Sequence, residues 1–344
     1  MSETRFHVGG LGNAIVDVIS QTDDAFLETH GINKNAMNLI EEDRADMLTK
    51  ASVEALETSG GSGANTVAGV ASFGGALPAA RLALDAFDPW FLTFVRTGGS
   101  GLCALALLIA FPQPFPRDVT SRLILSALAT LFAFPLFTSM ALVSVEAGHG
   151  GVVLGILPLC TAVAGVIIGR ERPSRLFWLL ALLGASLVII FAFRKSNFVP
   201  AIGDVWLAVA AGCTAFGYAI QGVATRSMSG WVVISWSLVL TLPLSALGLI
   251  WSWPVDIHAA DSTAWFGAFY TTVMAGFIAF FFWNAGLARG GVTRIGQVQL
   301  AQPFFTLAIA ALFLGEAVTL DMWGFALAVG LVILLAQRTH ISSN

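Results

Sequence analysis

The sequence predicts an all-α membrane protein with ten transmembrane helices, arranged as two inverted five-helix repeats and preceded by a short α/β segment. Three observations predict this fold class. Hydrophobic residues make up 56% of the 344 residues and charged residues 11%, with a mean hydropathy of +0.81, whereas about a quarter of the residues in soluble proteins are charged. Residues 1–60 contain 11 of the 21 acidic residues, so a water-compatible segment precedes the apolar part. The third observation is an internal repeat with a spacing of 145 residues.

Apolar stretches long enough to cross a bilayer follow the acidic segment. A hydrocarbon core of about 30 Å requires about 20 helical residues, and turn residues and charges separate the stretches. The first stretch is rich in glycine and contains Pro78 and Arg81, so a nine-span alternative without it stays open. The ten predicted spans are 64–84, 89–110, 123–142, 149–168, 176–193, 203–223, 231–252, 263–287, 294–313 and 322–338.

The distribution of arginine and lysine predicts the orientation of these spans. With ten spans, the loops on one side contain nine arginines, whereas the opposite side contains only Arg194 and Lys195. Because loops rich in positive charge stay in the cytoplasm, both termini are predicted to be cytoplasmic. Without the first span, the same bias places residues 1–62 outside.

Self-comparison at a spacing of 145 residues aligns the end of one half of the apolar region with the end of the other. The aligned pairs are Pro158 with Pro303, Glu171 with Glu316, and Trp178 with Trp323. Because each half contains five spans, an odd number, the two halves have opposite orientations. Secondary transporters use this layout and bind solute near the midplane between the halves. The predicted divisions are an N-terminal segment (1–62), a first repeat (63–198), a second repeat (199–338) and a tail (339–344).

The apolar region resembles the EamA-type transporters of the drug/metabolite transporter superfamily over roughly residues 76–338. The matching segments are ILPLCTAVAGVIIGRERP in the fourth span, GDVWLAVAAGCTAFGYA in the sixth, QLAQPFFTLAIAALFLGEAVT in the ninth and WGFALAVGLVIL in the tenth. The resemblance implies a carrier of the bacterial inner membrane and not an enzyme. It implies export or exchange of small polar metabolites, such as amino acids or related solutes, by alternating access.

Residues 1–75 resemble the N-terminal part of ribokinase-like (PfkB) sugar and nucleoside kinases. The matching segments are VGGLGNAIVDVI and SGGSGANTVAGVASFGG. The resemblance implies a vestigial sugar site at Asp17, Gly60, Gly61 and Asn65, whose counterparts contact sugar hydroxyls. The Gly-Ala-Gly-Asp motif that supplies the catalytic base in those kinases does not occur in the sequence. Phosphoryl transfer without a base or an anion cradle has nothing to stabilise its charge, so no kinase activity is expected.

The two resemblances meet near residues 74–77, which predicts a fusion in which a kinase-like helix supplies the first half of span 1. Two alternatives to a working carrier stay open. One is a non-functional fusion product with a defective first span. The other is a carrier that sugar or nucleoside binding to the kinase-like head regulates.

Arg96 is the main candidate for contact with the solute. Ionisable residues within spans are costly and are functional candidates by default, and Arg96 lies seven residues into the second span. We expect it to meet an anionic group of the solute or a carboxylate that titrates during transport. The alternative is an interfacial position from which the side chain reaches water.

Uncharged polar residues of the later spans complete the predicted transport cavity. Pro158 and Pro303 are predicted to kink their helices, since proline cannot donate to the carbonyl four residues earlier. The alternative role for each polar side chain is helix–helix packing. The predicted cavity residues besides Arg96 are Tyr218, Gln221, Trp236, Tyr270, Asn284, Gln299 and Gln302.

The expected partners are a small-molecule solute and the lipid bilayer. Nucleic-acid binding is not expected, because the formal charge is −4 and no basic stripe occurs. No cofactor and no metal are predicted, and the sequence does not indicate an oligomeric state. No Asp or Glu lies in the middle of a span, so Glu146 and His149 are the nearest titratable groups for proton coupling, and facilitated exchange stays equally open.

Overall fold

The computed structural model describes 15–19, 29–30, 47, 56–60 and 62–343, with gaps at 170, 196–200, 255, 291, 297, 300–301, 318 and 338–340. The chain forms two compact units, Met1–Ala64 and Asn65–Asn344. In the first unit, strands β1 (Ile15–Ile19) and β2 (Leu56–Gly60) pair in antiparallel register, with Asp17 opposite Thr58.

The residues of the predicted sugar site fall partly on this hairpin. Asp17 lies in the middle of β1, and Gly60 ends β2. Gly61 and the side chain of Asn65 lie outside the described part of the chain. A kinase-like α/β head therefore stays a prediction.

Ten apolar helical segments, numbered α1 to α10, make up the described part of the second unit together with short connections. They are α1 (Ser62–Gly74 and Ala76–Leu84), α2 (Pro89–Ala110), α3 (Arg117–Leu142), α4 (Ala147–Ile167), α5 (Arg175–Lys195), α6 (Ile202–Ala224), α7 (Gly230–Trp251), α8 (Ser262–Phe269, Tyr270–Ile278 and Ala279–Gly290), α9 (Val292–Gly296 and Gln302–Phe313) and α10 (Leu320–Gln337). Two three-residue strands, β3 (Glu171–Pro173) and β4 (Ile341–Ser343), pair with each other, and a 3-10 turn (Ile257–Ala259) precedes α8.

Six of the helices, α2, α3, α4, α6, α7 and α8, are long and apolar enough to cross a membrane by length and composition. Four further helices have shorter described apolar stretches. These are Ala68–Leu84, Arg175–Gly184, Gln302–Phe313 and Leu320–Val332. The six long helices agree with six predicted spans, while the total of ten spans stays a prediction.

Aspartate side chains fix where two of the long helices begin. The Asp88 carboxylate accepts from the backbone N–H groups of Trp90 at 2.8 Å and Phe91 at 3.1 Å, and proline follows it at the first position of α2. Asp261 accepts from the N–H of Ala264 at 2.8 Å at the start of α8. Such caps satisfy N–H groups that have no partner within the helix.

Contacts between the helix ends show that α4, α6 and α10 run in one direction and α9 runs in the opposite direction. At one end of the bundle, Glu316 after α9 binds the start of α4, and Asp204 of α6 pairs with His149 of α4. At the opposite end, the Arg226 guanidinium after α6 donates to the carbonyl of Gly169 after α4 at 3.2 Å. Pairing of β3 with β4 brings the chain after α10 to this same end. We call the two ends the α3–α4 end and the α4–α5 end.

The crossing of α4 and α9 follows the spacing of 145 residues. A β-carbon at Gly151 would lie 2.7 Å from Cγ2 of Thr306, and one at Gly296 would lie 2.5 Å from Cγ2 of Thr161. Residues 151 and 296 are repeat mates, as are 161 and 306, so the two contacts are the same contact seen from each repeat. This reciprocity supports the two-repeat organisation that the sequence predicted.

Four helices depart from α-helical geometry at matching places in the two repeats. In α3 and α8 the segments Leu128–Ala133 and Tyr270–Ile278 are π-helical. In α4 a 3-10 turn, Leu154–Ile156, precedes Pro158, and in α9 the second helix starts just before Pro303. Prolines and π-bulges release backbone carbonyls and are frequent at functional sites.

The first half of α1 packs closely against the second repeat. The Thr306 hydroxyl donates to the carbonyl of Gly74 at 2.9 Å, and the Tyr270 hydroxyl donates to the carbonyl of Ser72 at 3.1 Å. A β-carbon at Gly69 would lie 3.4 Å from Cβ of Phe282, so the glycine permits close approach of α8. The segment of α1 that the sequence assigned to the kinase-like piece is therefore part of the helical bundle.

Candidate functional site

A small cavity lies between the two repeats. Its volume is about 10 Å³, which is room for about one water molecule. Residues of α1, α2, α3, α4, α6 and α9 contribute to its wall, so both repeats form it. The lining residues are Phe73, Ala76, Leu77, Ala80, Arg96, Phe134, Thr138, Leu157, Tyr218 and Gln302.

Arg96 is the charged residue of this wall. Its side chain is 6% exposed, and no acidic side chain among the described residues forms an ion pair with it. The hydroxyl of Tyr218 interacts electrostatically with Arg96. An isolated cation in a low-dielectric interior is expensive, so the cavity is complementary to an anion.

Two hydroxyl groups on α2 fix the position of Arg96 between the π-helical segments. The hydroxyl of Thr97 donates to the carbonyl of Leu131 in α3 at 2.9 Å, and Pro135 leaves that carbonyl without its usual helical donor. The hydroxyl of Ser100 donates to the carbonyl of Thr272 in α8 at 2.7 Å. The Leu131 carbonyl thereby gains a donor, and hydrogen bonds to both α3 and α8 hold α2 next to Arg96.

Tyr218 connects Arg96 to a group of buried polar side chains on α6, α8 and α9. Its ring lies 4.8 Å from the ring of Trp283, and its hydroxyl lies near Thr214 and Gln299. The amide of Gln221, the indole N–H of Trp283 and the side-chain oxygen of Gln299 are buried without a hydrogen-bond partner among the described residues. Unpaired buried donors and acceptors are costly, so these groups are available to a polar ligand.

The structure brings together only some of the predicted cavity residues. Arg96, Tyr218 and Gln302 line the cavity, and Gln221 and Gln299 lie in the adjoining polar group. The remaining three, Tyr270, Asn284 and Trp236, have other contacts.

Tyr270, Asn284 and Trp236 contribute to helix packing and not to the cavity wall. The Tyr270 hydroxyl binds the backbone of α1. The Asn284 amide donates to the carbonyl of Phe280 in its own helix at 3.0 Å. The Trp236 ring packs against Phe115 of the α2–α3 loop, with ring centres 5.1 Å apart. Nε1 of Trp236 and Oδ1 of Asn284 are also buried without a hydrogen-bond partner among the described residues, so the transport role predicted for these three residues stays a prediction.

Sequence reasoning missed several lining residues that the repeat spacing identifies. Subtracting 145 from Tyr218, Gln221 and Gln302 gives Phe73, Ala76 and Leu157, all of which line the cavity. Thr138 is likewise the repeat mate of Trp283. Equivalent positions of the two repeats therefore differ in chemistry. Tyr218 and Gln302 are polar where the first repeat has Phe73 and Leu157, whereas Thr138 of the first repeat carries a hydroxyl where the second repeat has an indole.

The two ends of the bundle are both closed by contacts between the repeats. At the α3–α4 end, the Glu316 carboxylate accepts from the N–H groups of Ala147 at 2.9 Å and Gly148 at 2.8 Å. At the α4–α5 end, Arg226 binds the carbonyl of Gly169. A packed cluster that includes Leu77, Leu157 and Leu207 fills the space around the cavity.

A helical bundle with two repeated halves and a cavity that contains a buried arginine has an organisation typical of membrane transporters. The chain belongs to the EamA-like transporter family, whose model matches residues 64–193 and again residues 201–337. The family resemblance of the apolar region is therefore confirmed. The first match begins at residue 64, so it includes 64–75, which the sequence resemblance had assigned to the kinase-like piece.

Relatives agree with this assignment. The chain is 38% identical over 276 residues to a Bacillus subtilis (strain 168) protein described as "Uncharacterized transporter YdeK", covering 80% of this chain and 96% of that protein. It is 25% identical over 200 residues to an Acidianus ambivalens protein described as "Uncharacterized transporter in sor 3'region", covering 57% of this chain and 76% of that protein. A solved crystal structure shares the fold with a TM-score of 0.60 and 21% identity, covering 80% of this chain and 96% of that one.

Proposed function

We propose that the protein is a secondary transporter that exports or exchanges small carboxylate-bearing metabolites, such as amino acids, across a bacterial inner membrane. The observation that carries the proposal is Arg96, a buried cation on the cavity wall without an acidic partner among the described residues. A solute carboxylate supplies the missing negative charge and forms two parallel hydrogen bonds with the guanidinium.

The polar group beside Arg96 supports an amino acid as the solute. Tyr218 interacts with Arg96 and lies near Gln299, whose side-chain oxygen is buried without a partner among the described residues. An aromatic face and an amide oxygen both attract an ammonium group. These two groups are the partners that we propose for the α-amino group of a solute whose carboxylate binds Arg96.

Alternating access is the mechanism we propose for this movement. A cavity of about 10 Å³ is too small for an amino acid, and contacts between the repeats close both ends. We assign this conformation to the occluded step of the cycle. Opening at one end separates Asp204 and Glu316 from α4, and opening at the other separates Arg226 from the α4–α5 loop.

A ligand panel tests the proposal. Purified protein is heated with amino acids, with their amides, which lack the carboxylate, and with their N-acetyl derivatives, which lack the ammonium group. We expect amino acids at about 100 times their Kd to stabilise the protein by about 2.7 kcal/mol, amides not at all, and N-acetyl derivatives less. Arg117→Ala, which removes an exposed arginine, serves as the control and keeps the response. Equal stabilisation by amides and amino acids would contradict the proposal.

We further propose that the kinase-like head is dispensable for transport. The family match begins at residue 64. The alignment with the Bacillus relative uses 80% of this chain and includes 96% of the relative. Deletion of residues 1–61 is therefore expected to leave solute counterflow in proteoliposomes unchanged, with protein amount and helical content as controls. Loss of counterflow from a normally inserted variant would favour the alternative in which a sugar or nucleoside bound to the head regulates the carrier.

A further inference from the structure

His149 and Asp204 form a buried pair that joins the two repeats. Nε2 of His149 lies 2.7 Å from Oδ1 of Asp204, and the side chains are 5% and 12% exposed. His149 belongs to α4 of the first repeat and Asp204 to α6 of the second. The pair lies at the α3–α4 end, where Gly203 also approaches Ser144 and Val145.

The second ring nitrogen of His149 is buried and has no hydrogen-bond partner among the described residues. The ring packs against Phe191, with ring centres 5.3 Å apart. Histidine is the side chain that changes charge between about pH 5 and pH 8. Nε2 contacts the carboxylate, so Nδ1 is the ring nitrogen that has no partner among the described residues.

Other charged groups around this end are already engaged or lie at the surface. Glu316 is bound by backbone N–H groups at the start of α4, and Glu146 is exposed. On α1, Arg81 and Asp85 pair with each other at 3.3 Å, and on α10 Asp321 is exposed. The side chains of Arg194 and Lys195 on α5 lie outside the described part, and among the described residues α3 contributes no charge here.

We propose that His149 and Asp204 form a proton-binding site that operates the gate at the α3–α4 end. With the imidazole protonated, the pair is neutral overall and ionic attraction holds the repeats together. Loss of the proton from Nδ1 to solvent leaves a mostly buried carboxylate without a countercharge. Opening then returns Asp204 to water, which is the favourable state for an unpaired charge.

The proposal gives the carrier a response to pH on one side only. His149 has Arg294 as its repeat mate, so the repeat spacing does not place a second histidine at the α4–α5 end. The sequence predicts that the α3–α4 end faces the external medium. External acidification therefore closes this end. The inference rests on the proposed alternating-access function.

Distance measurements between spin labels test the gate without any solute. Cysteines replace Val143 and Ile202, both exposed on opposite sides of the Gly203–Ser144 contact, in a chain without Cys103, Cys160 and Cys213. The protein is placed in lipid nanodiscs. The population with a long distance between the labels, divided by the population with a short distance, is expected to rise about tenfold between about pH 5 and pH 8. A distance that does not change with pH, or that shortens as pH rises, would overturn the proposal.

Variants assign the response to the pair. His149→Gln and Asp204→Asn are each expected to abolish the pH dependence, while His258→Gln, which changes an exposed histidine of the α7–α8 loop, keeps it. Titration that persists in a folded His149→Gln protein would sink the proposal. If that variant aggregates, the pH dependence of Asp204→Asn tests the proposal instead. The spin-labelled chain that keeps both His149 and Asp204 provides an independent test, because its label-to-label distance must change with pH. Because the ligand panel does not use these variants, failure here leaves the proposed transport function standing.

Discussion

Arg96→Met is expected to fold at least as well as the unmodified protein and to lose solute binding and transport. Arg96 is buried without an acidic partner among the described residues, and replacing buried charge with an apolar side chain of similar length is often neutral or stabilising by about 1–4 kcal/mol. A hydrogen bond to a charged group contributes about 1.5–3 kcal/mol, so affinity for a carboxylate solute should fall about 10- to 100-fold. Thermal unfolding and proteoliposome counterflow measure the two effects.

Stability that is unchanged or raised, together with transport that is lost, distinguishes a binding role of Arg96 from a structural role. A structural Arg96 would lower both stability and transport when replaced. A second comparison uses Arg96→Lys, which keeps the charge but loses the two-pronged geometry, and should restore part of the binding. Arg117→Ala again serves as the control. Unchanged transport in Arg96→Met would remove this residue from the solute site.

Gly267→Ala is expected to be among the most destabilising single-methyl changes in the bundle. A β-carbon at Gly267 in α8 would collide with the backbone oxygen of Ala79 and would lie 2.9 Å from the backbone nitrogen of Ala83, both in α1. Backbone atoms of a packed helix cannot turn aside as a flexible side chain does. Overpacking of this kind costs about 1–3 kcal/mol. Because α1 lines the cavity through Ala76, Leu77 and Ala80, transport is expected to fall as well.

Gly212→Ala provides the matched control for this change. Gly212 lies in α6, and a β-carbon there would meet nothing within 4 Å. Alanine is a better helix former than glycine by up to about 1 kcal/mol, so this variant should be as stable as the parent or slightly more stable. Thermal unfolding in one detergent compares the two. Equal midpoints would show that α1 and α8 separate easily, against the close packing described here.

The cavity shows how two similar repeats give an asymmetric site. Phe73 and Tyr218 occupy equivalent positions, as do Leu157 and Gln302. In each pair the second repeat contributes the polar side chain, while the first repeat contributes the cation through Arg96. The repeat mate of Arg96 is Thr241, a buried residue of α7 without charge. Under the proposed function, this asymmetry would favour one orientation of a charged solute, which a symmetric wall would not impose.

Local hydropathy was sufficient for much of the fold. The predicted span 89–110 coincides with Pro89–Ala110, and the predicted 203–223 differs from Ile202–Ala224 by one residue at each end. Proline and charge mark these boundaries in the sequence. In contrast, the π-helical segments of α3 and α8 left no periodic signal. Two carbonyls in these segments accept from Thr97 and Ser100 of α2, which are distant in sequence.

The sequence predicted the types of residue in the candidate site but not which individual residues line the cavity. Tyr218 and Trp236 looked alike as aromatic polar residues within spans, yet only Tyr218 lines the cavity. Which face of a helix turns inward depends on the helices that pack against it, and most of those contacts cross between repeats. The pairing of His149 with Asp204 is a further example, since 55 residues separate them.

The sequence by itself determined the class of protein, the family and the repeat, because composition, span length and the spacing of 145 residues are properties of the linear chain. It also singled out Arg96, since a charge within an apolar span is costly wherever the helix lies. Only the tertiary structure decided which polar groups surround that charge and which pairs close the two ends. Those contacts depend on the rotation and close approach of helices, which glycines such as Gly151 and Gly296 permit but whose partners appear only when the repeats pack together.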